Sequence, residues 1–464
     1  MQLNMEADAM EKRENLASRL GFLFLSAGCA IGLGNVWRFP FITGKYGGAI
    51  FIAAYLFFLL AMALPVLIME FSVGRASRKN MGDAFRTLEP AGSKWHVFGW
   101  FSIIGSYVLM MFYIPICGWM LNYVWLSLTG KLAVPVEQVP SVFTSMLDSP
   151  STMIFWTLVT SLSCFAVCAR GLQKGAERVV KFMMMGLLVI MVGLAVKSVM
   201  LPGSEKGVAF YLIPDLKRAM DAGILSLFND AMNQAFFTLS IGVGSMCIFG
   251  SYLDKTNTLT KESTFILILD TFVAFVSGLI IFPACFSFGV SPDAGPGLIF
   301  ITLPNIFNEM PGGRFWGTLF FVFMSAAALT TVIAVIENIL SFFMDKYGWS
   351  RAKSSKINAV ALTLLTLPCI FGFNIWSNIQ PFGKGSCILD LEDFIISNNL
   401  LPVGALVFCL FCCQRYGWGW DNFIKEADIG KGIKFPKYLR FYLTWILPVI
   451  FVFVFSQGYI QKFF

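Results

Sequence analysis

Five residues with side-chain oxygens lie in strongly apolar stretches of the chain, where a polar group needs a partner. Asp270 is the clearest case, because it stands in the run ILILDTF at 266–272 and an unpaired carboxylate in such a setting is costly. Hard cations prefer oxygen ligands of this kind. The set indicates a cation site, although Asp270 also fits a protonated or arginine-paired structural role. Its members are Asn35, Thr238, Asp270, Thr330 and Thr331.

Two apolar segments contain glycine pairs that interrupt a helical pattern. They are SAGCAIGLGN at 26–35 and FFTLSIGVGS at 236–245, and both carry the motif Ile-Gly-x-Gly. At membrane depth a broken helix is tolerable only where its freed backbone groups line a polar cavity or bind a ligand. Exposed N–H groups attract a carboxylate, whereas freed carbonyl groups attract a cation. Two such breaks predict a transporter, and the alternative is that the glycines only allow close helix packing.

The composition is that of a membrane protein. Hydrophobic residues make up 57% and charged residues 13% of the 464-residue chain, with a mean hydropathy of +0.73. A soluble globular domain does not reach these values, so we expect an all-α polytopic membrane protein. With about 20 apolar residues needed per crossing, the chain divides into eleven segments, numbered here span one to span eleven. They cover 20–44, 48–74, 97–128, 152–169, 175–200, 222–251, 259–287, 315–345, 354–373, 387–414 and 437–461.

Lysine and arginine are concentrated at the N-terminus and in the loops after even-numbered spans. Positively charged loops stay in the cytoplasm, so the N-terminus is predicted to be cytoplasmic and the C-terminus external. This asymmetry accounts for the net charge of +7, and no nucleic-acid partner is expected. The charges assigned to the cytoplasmic side include Lys12, Arg13, Arg19, Arg75, Arg78, Lys79, Lys255 and Lys346.

The two interrupted segments also suggest an internal repeat. If they are equivalent, spans one to five and six to ten form two halves about 210 positions apart. Five spans is an odd number, so the second half is inverted in the membrane, with ligands between the discontinuous helices near the midplane. This predicts one transporter domain over 1–464, with a first repeat at about 20–200, a second at about 222–414 and an extra helix at about 437–461.

Charges beside the spans are candidate gates. Arg38 follows the first interruption and Asp393 opens span ten on the same, external side. An arginine–carboxylate pair is directional and reversible, so these residues could close over a ligand, or they are two unrelated interfacial charges. Arg13 and Asp345 offer a similar pairing on the cytoplasmic side. The single histidine, His96, and the scattered cysteines give no basis for zinc, haem or histidine-based catalysis.

Several motifs together resemble the neurotransmitter:sodium symporter family over nearly the whole chain. Span one carries RLG at 19–21, NVWRFP at 35–40 and the pair Gly47-Gly48. Further matches are RGLQKGAER at 170–178, QAFFTLS at 234–240, FITLP at 300–304 and ALTT at 328–331. The chain is most similar to the shorter bacterial hydrophobic amino-acid transporters with the leucine-transporter fold. This resemblance implies two sodium sites, a sodium-coupled symporter and a bacterial cytoplasmic membrane.

The resemblance also implies a role for each site residue. The first sodium ion would be bound by the Ala30 carbonyl, Asn35, Thr238, Asp270 and the substrate carboxylate. The second would be bound by carbonyl groups of Gly28, Ile31 and Ala327 and by the hydroxyls of Thr330 and Thr331. Tyr113 would bind the substrate carboxylate and Phe237 would act as a lid, with further contacts from Cys29, Ala30, Gly32, Gly34, Leu109, Thr238, Ser240, Val243, Thr331 and Val335. The gates would be Arg38 with Asp393 outside, and Arg13, Ser251, Tyr252 and Asp345 inside.

Departures from the family pattern refine the expected substrate and ions. Monoamine carriers have an aspartate where this chain has Gly32, which leaves room for the carboxylate of an amino acid. Chloride-dependent members have a serine near position 274, where this chain has Ala274, and many relatives have an asparagine in place of Asp270. A fixed negative charge beside sodium can replace chloride electrostatically. We therefore expect chloride-independent transport of a hydrophobic or aromatic amino acid.

Other functions stay open at this point. Ser240 and Thr331 are compatible with a small polar amino acid such as glycine or alanine. A sodium-gated channel or receptor would use the same broken helices, although channels commonly surround a pore by oligomer symmetry. An embedded enzyme would need a catalytic cluster, and Asp270 has no convincing partner base. The oligomeric state does not follow from the sequence.

Overall fold

The structure is a computed structural model, and it describes residues 16–290 and 297–463. Within these ranges the regular elements are helices, and no β-strand is present. Nine of the described helices are long and apolar enough to cross a membrane. They are Ala49–Ser77, His96–Thr129, Pro150–Ala169, Leu172–Val199, Leu259–Ser287, Gly313–Tyr347, Arg351–Phe371, Ile388–Cys413 and Lys437–Ile460.

Spans one and six are each built from two helices. In span one, Arg19–Ala30 and Gly34–Lys45 meet at an angle of 54°, and together they bring the number of candidate crossings to ten. In span six, Ile224–Thr238 and Ser245–Tyr252 are each shorter than the roughly 20 residues of one crossing. The predicted discontinuity of both spans is therefore present, while the count of eleven crossings stays a prediction.

Short helices lie in the segments that connect the spans. Met81–Leu88 follows span two, and Trp420–Ala427 follows span ten. The remaining short elements are Val136–Gln138, Val139–Leu147, Ser204–Leu212, Leu216–Asp221, Leu298–Thr302 and Leu303–Glu309.

The breaks occur where the backbone leaves helical geometry. The first helix of span one ends before Ile31, whose ψ of 98° is extended, and a π-helical turn over Gly34–Arg38 restarts the span. In span six, Ser240, Gly242 and Gly244 have φ values of 50°, 94° and 78°. Glycine adopts positive φ at little cost, whereas other residues are strained there. The Gly-x-Gly pattern thus allows the non-helical segment, and Ser240 bears the strain.

Span eight supplies the centre of the protein. About 78% of its most apolar 18-residue stretch is buried, the largest share among the candidate spans, compared with 22% for span eleven. Spans one and three both pack along it. Thr330 and Thr331 in the middle of span eight therefore face other spans and not lipid.

The start of span one is bound to a carboxylate of span five. Glu177 accepts hydrogen bonds from the backbone N–H of Ala17, at 2.8 Å, and from the hydroxyl of Ser18, at 3.2 Å. A β-carbon at Gly21 would lie only 1.7 Å from Oε1 of Glu177. The carboxylate thus occupies the space that any other residue at position 21 would fill.

Arg75 differs from its sequence-based assignment as a loop charge. Its side chain is fully buried at the end of span two, and its Nε lies 2.7 Å from Oε1 of Glu426 in the helix that follows span ten. The Arg75 guanidinium also donates to the carbonyl oxygens of Glu426 and Asn257. A buried guanidinium needs such partners because it cannot lose its proton. This cluster joins three regions that are far apart in the sequence.

Candidate ion and substrate site

Asn35, Thr238 and Asp270 come together at the breaks of spans one and six. Nδ2 of Asn35 donates to Oδ1 of Asp270 at 2.8 Å and to the hydroxyl of Thr238 at 3.0 Å. The Thr238 hydroxyl in turn donates to Oδ2 of Asp270 at 2.9 Å. All three side chains are fully buried. The Asp270 carboxylate and the Thr238 hydroxyl thus lie together as oxygen ligands for one cation, and the Asn35 amide nitrogen donates to both, while Oδ1 of Asn35 accepts from the Gly32 N–H at 3.1 Å.

A second group of oxygen atoms surrounds Thr331. Its hydroxyl lies within hydrogen-bond distance of four carbonyl oxygens from spans one and eight, while the Thr330 hydroxyl donates to Ala327 at 2.9 Å. One hydroxyl proton can serve only one acceptor at a time, so most of these lone pairs are available to a cation. The four acceptors are Gly28 at 3.2 Å, Cys29 at 3.5 Å, Ile31 at 3.4 Å and Ala327 at 3.4 Å. Cys29 is the one carbonyl here that the resemblance did not assign to sodium.

The freed backbone groups of span one are held by neighbouring spans. The Leu33 N–H donates to the Tyr113 hydroxyl at 3.0 Å, and Gln234 donates to the Gly34 carbonyl at 2.8 Å. At the preceding residue, a β-carbon at Gly32 would lie 2.3 Å from the Tyr113 hydroxyl oxygen and 2.6 Å from Oγ1 of Thr331. A side chain at position 32 would therefore displace both of these hydroxyl groups.

A small cavity of about 20 Å³ lies between the breaks. Nine of its lining residues belong to the sequence-based substrate set: Ala30, Gly32, Gly34, Leu109, Tyr113, Phe237, Ser240, Val243 and Thr331. Three predicted contacts do not line it, namely Cys29, Thr238 and the buried Val335. Three lining residues were not predicted, namely Ser245, Ile396 and Leu401. Apolar residues in a transmembrane segment carry no distinguishing signal, so the sequence did not single out Ile396 or Leu401.

The two predicted outer gate residues, Arg38 and Asp393, have different partners in the described structure. The guanidinium of Arg38 lies over the ring of Phe237, 4.5 Å from its centroid. Oδ1 of Asp393 accepts a hydrogen bond from Ser397 at 2.8 Å. In the described structure Arg38 thus stacks on the cavity wall through a cation–π contact, and its pairing with Asp393 stays a prediction.

The predicted inner gate residues lie in a larger network. The Tyr252 hydroxyl donates to Oε1 of Glu337 at 3.2 Å. It also forms a hydrogen bond of 2.7 Å with the Ser341 hydroxyl. Glu337 is fully buried and pairs with Arg351 at 2.7 Å. A carboxylate inside apolar span eight could have been recognised from the sequence by the same argument as Asp270.

The remaining inner residues bind other partners. Asp345 accepts from the backbone N–H of Asn80 at 3.2 Å and from its side chain at 2.9 Å. The Ser251 carbonyl accepts from Arg78 at 3.1 Å. Arg13 lies outside the described residues, so its predicted pairing with Asp345 stays a prediction.

Known proteins are similar in sequence to almost the whole chain. The sequence profile of the Sodium:neurotransmitter symporter family matches residues 13–139 and 142–463. An uncharacterized sodium-dependent transporter of Bacillus subtilis, YhdH, is 34% identical over 96% of this chain and 97% of its own length. A sodium-dependent transporter of Haemophilus influenzae is 30% identical over 97% and 98% of the two chains.

One solved structure has a fold similar to that of this chain. The crystal structure of MhsT in complex with L-phenylalanine superposes with a TM-score of 0.86 at 35% identity, covering 96% of this chain and 100% of that chain. The family resemblance predicted from the span-one motif is thus confirmed. This chain belongs to the sodium:neurotransmitter symporter family, whose members are sodium-coupled transporters and not enzymes.

Proposed function

We propose that the protein is a sodium-coupled symporter that imports a hydrophobic or aromatic amino acid by alternating access. The observation that carries the proposal is the position of two oxygen clusters beside one cavity. Asn35, Thr238 and Asp270 form the first cluster, and the carbonyl oxygens around Thr331 form the second. The binding of L-phenylalanine by the similar protein MhsT supports an amino-acid substrate.

In this proposal, coupling occurs by direct contact between ion and substrate. One sodium ion binds Ala30, Asn35, Thr238 and Asp270, and the substrate carboxylate completes its shell. A second ion binds Gly28, Ile31, Ala327, Thr330 and Thr331. Sodium orders the broken helices, and both ligands are then released inward. Arg38 with Asp393 closes the outer side, whereas Arg13, Ser251, Tyr252 and Asp345 close the inner side.

The domain and membrane assignments belong to the same proposal. One transporter domain contains two inverted repeats of five spans and an eleventh span. It lies in a bacterial cytoplasmic membrane with the N-terminus inside and the C-terminus outside, as the distribution of lysine and arginine predicts.

Purified protein should bind amino acids only when sodium is present. We expect that, among the twenty amino acids, hydrophobic or aromatic ones bind tightest in sodium chloride and that binding is lost when choline replaces sodium. Equilibrium binding in detergent or nanodiscs measures both effects. Sodium-independent binding, or no binding at all, would refute the proposal.

Two observations favour a small polar substrate as the second candidate. The cavity is small, and the hydroxyls of Ser240, Ser245 and Thr331 line it. If glycine or alanine binds tightest in the same panel, this candidate replaces the first while sodium coupling is retained.

Transport should not require chloride. The Asp270 carboxylate supplies a fixed negative charge beside the first proposed sodium site, so an additional anion is unnecessary. Sodium-driven uptake into proteoliposomes should be equal in chloride and in gluconate buffers. A requirement for chloride in the protein with Asp270 intact would contradict this assignment.

A further inference from the structure

Span ten touches the non-helical segment of span six through its backbone. A β-carbon at Gly404 would lie 1.8 Å from the carbonyl oxygen of Gly242. Conversely, a β-carbon at Gly242 would lie 2.3 Å from the carbonyl oxygen of Leu401. Because glycine faces backbone on both sides, no side chain separates the two spans here. Span ten is therefore part of the support for the cavity.

A π-helical segment determines which residues of span ten face the cavity. It covers Ile395–Leu400, between the α-helices Ile388–Phe394 and Leu401–Cys413. Positions five apart in an α-helix differ by about 140° around the axis, whereas the i→i+5 bonding of a π-helix brings them towards one face. Ile396 and Leu401 are five apart, and both line the cavity.

The neighbouring residue has a different role. Leu400 points to span three, where its Cδ1 would lie 3.0 Å from a β-carbon at Gly105. Ile396 and Leu401 are 1% and 3% exposed, so lipid does not account for their apolar character. Together with Leu109 and Val243 they form an aliphatic part of the cavity wall.

We propose that Ile396 and Leu401 contact the substrate side chain and set the largest side chain that the transporter accepts. This inference rests on the proposed function, because it assumes that the cavity binds an amino acid. An apolar wall discriminates by size: one methylene group in a hydrophobic pocket changes relative affinity by about 10–200-fold. Span ten would thus select the substrate, in addition to the residues of spans one, three, six and eight.

The test compares L-alanine, L-leucine, L-phenylalanine and L-tryptophan as ligands of the purified full-length protein in sodium chloride. Replacing Leu401 or Ile396 with alanine should raise the affinity for L-tryptophan relative to L-alanine by about tenfold or more. The matched control is Val403→Ala, because Val403 lies on the same helix with 37% of its surface exposed. This control should keep the wild-type ranking of the four ligands.

A larger side chain at position 401 distinguishes an effect on pocket size from a loss of folding. Leu401→Phe should lower the affinity for L-tryptophan and leave L-alanine binding nearly unchanged, which a misfolded protein would not do. If the wild type binds a ligand and the Leu401 and Ile396 variants keep its ranking, the inference is wrong and the proposed function stands. If the wild type binds none of the four, the proposed function and this inference both fail.

Discussion

Replacing Asp270 with alanine is expected to weaken sodium and substrate binding together. The carboxylate is fully buried and contacts both Asn35 and Thr238, so its loss removes the only formal charge of the first cluster. Loss of a residue that only contacts a metal ligand typically weakens metal binding about 10–100-fold. We expect the loss of a direct ligand to weaken sodium binding at least as much. Sodium titration of amino-acid binding to purified protein measures both affinities in one experiment.

Asp221→Ala is a suitable control for this substitution. Asp221 is exposed in a short connecting helix, so its replacement removes one carboxylate without touching the site. Its sodium and substrate affinities should match those of the wild type. Unchanged affinity for both ligands in Asp270→Ala would remove Asp270 from the site, and loss of only one would argue against a shared ion–substrate shell.

Replacing Glu426 with alanine should destabilise the protein strongly. The change leaves the fully buried Arg75 without its carboxylate partner, and breaking a buried ion pair in this way costs about 3–5 kcal/mol. We expect a fall of several degrees in the apparent melting temperature of the purified protein. Fluorescence-detected size-exclusion chromatography after heating provides the measurement.

Lys255→Ala provides the matched control for the ion-pair cluster. Lys255 contacts the same carboxylate at 3.4 Å, but about half of its side chain is exposed. Exposed pairs contribute about 0–1 kcal/mol, so this variant should melt close to the wild type. The double variant Arg75→Met with Glu426→Leu should recover much of the stability, because it leaves no unpaired buried charge. Equal melting of Glu426→Ala and Lys255→Ala would contradict the assignment.

The sequence predicted the discontinuous helices because paired glycines favour non-helical backbone inside an apolar segment. Both predicted breaks lie where the helices end, at Ala30 and at Thr238. The oxygen-bearing residues were equally visible, since Asp270 and Thr331 are polar groups in apolar surroundings. Their convergence on two clusters required the family resemblance, because periodicity alone does not say which spans meet.

Other features depend on contacts that a single sequence does not encode locally. Arg75 and Glu426 are 351 positions apart, and each resembles an ordinary loop charge. Ile396 and Leu401 are two of many apolar residues in span ten, and only the π-helical segment aligns them. Arg38 shows a further limit: its residue type suggested an ion pair, whereas its rotamer places it over Phe237.

The contact between Gly21 and Glu177 has a consequence for how the protein can be dissected by mutagenesis. Any substitution at position 21 must displace the carboxylate that accepts the hydrogen bonds of Ala17 and Ser18. The nearest carbonyl of the second oxygen cluster, that of Gly28, is about two helical turns further along. One substitution can therefore perturb the hydrogen bonds of the amino-terminal peptide without changing any residue of the two oxygen clusters.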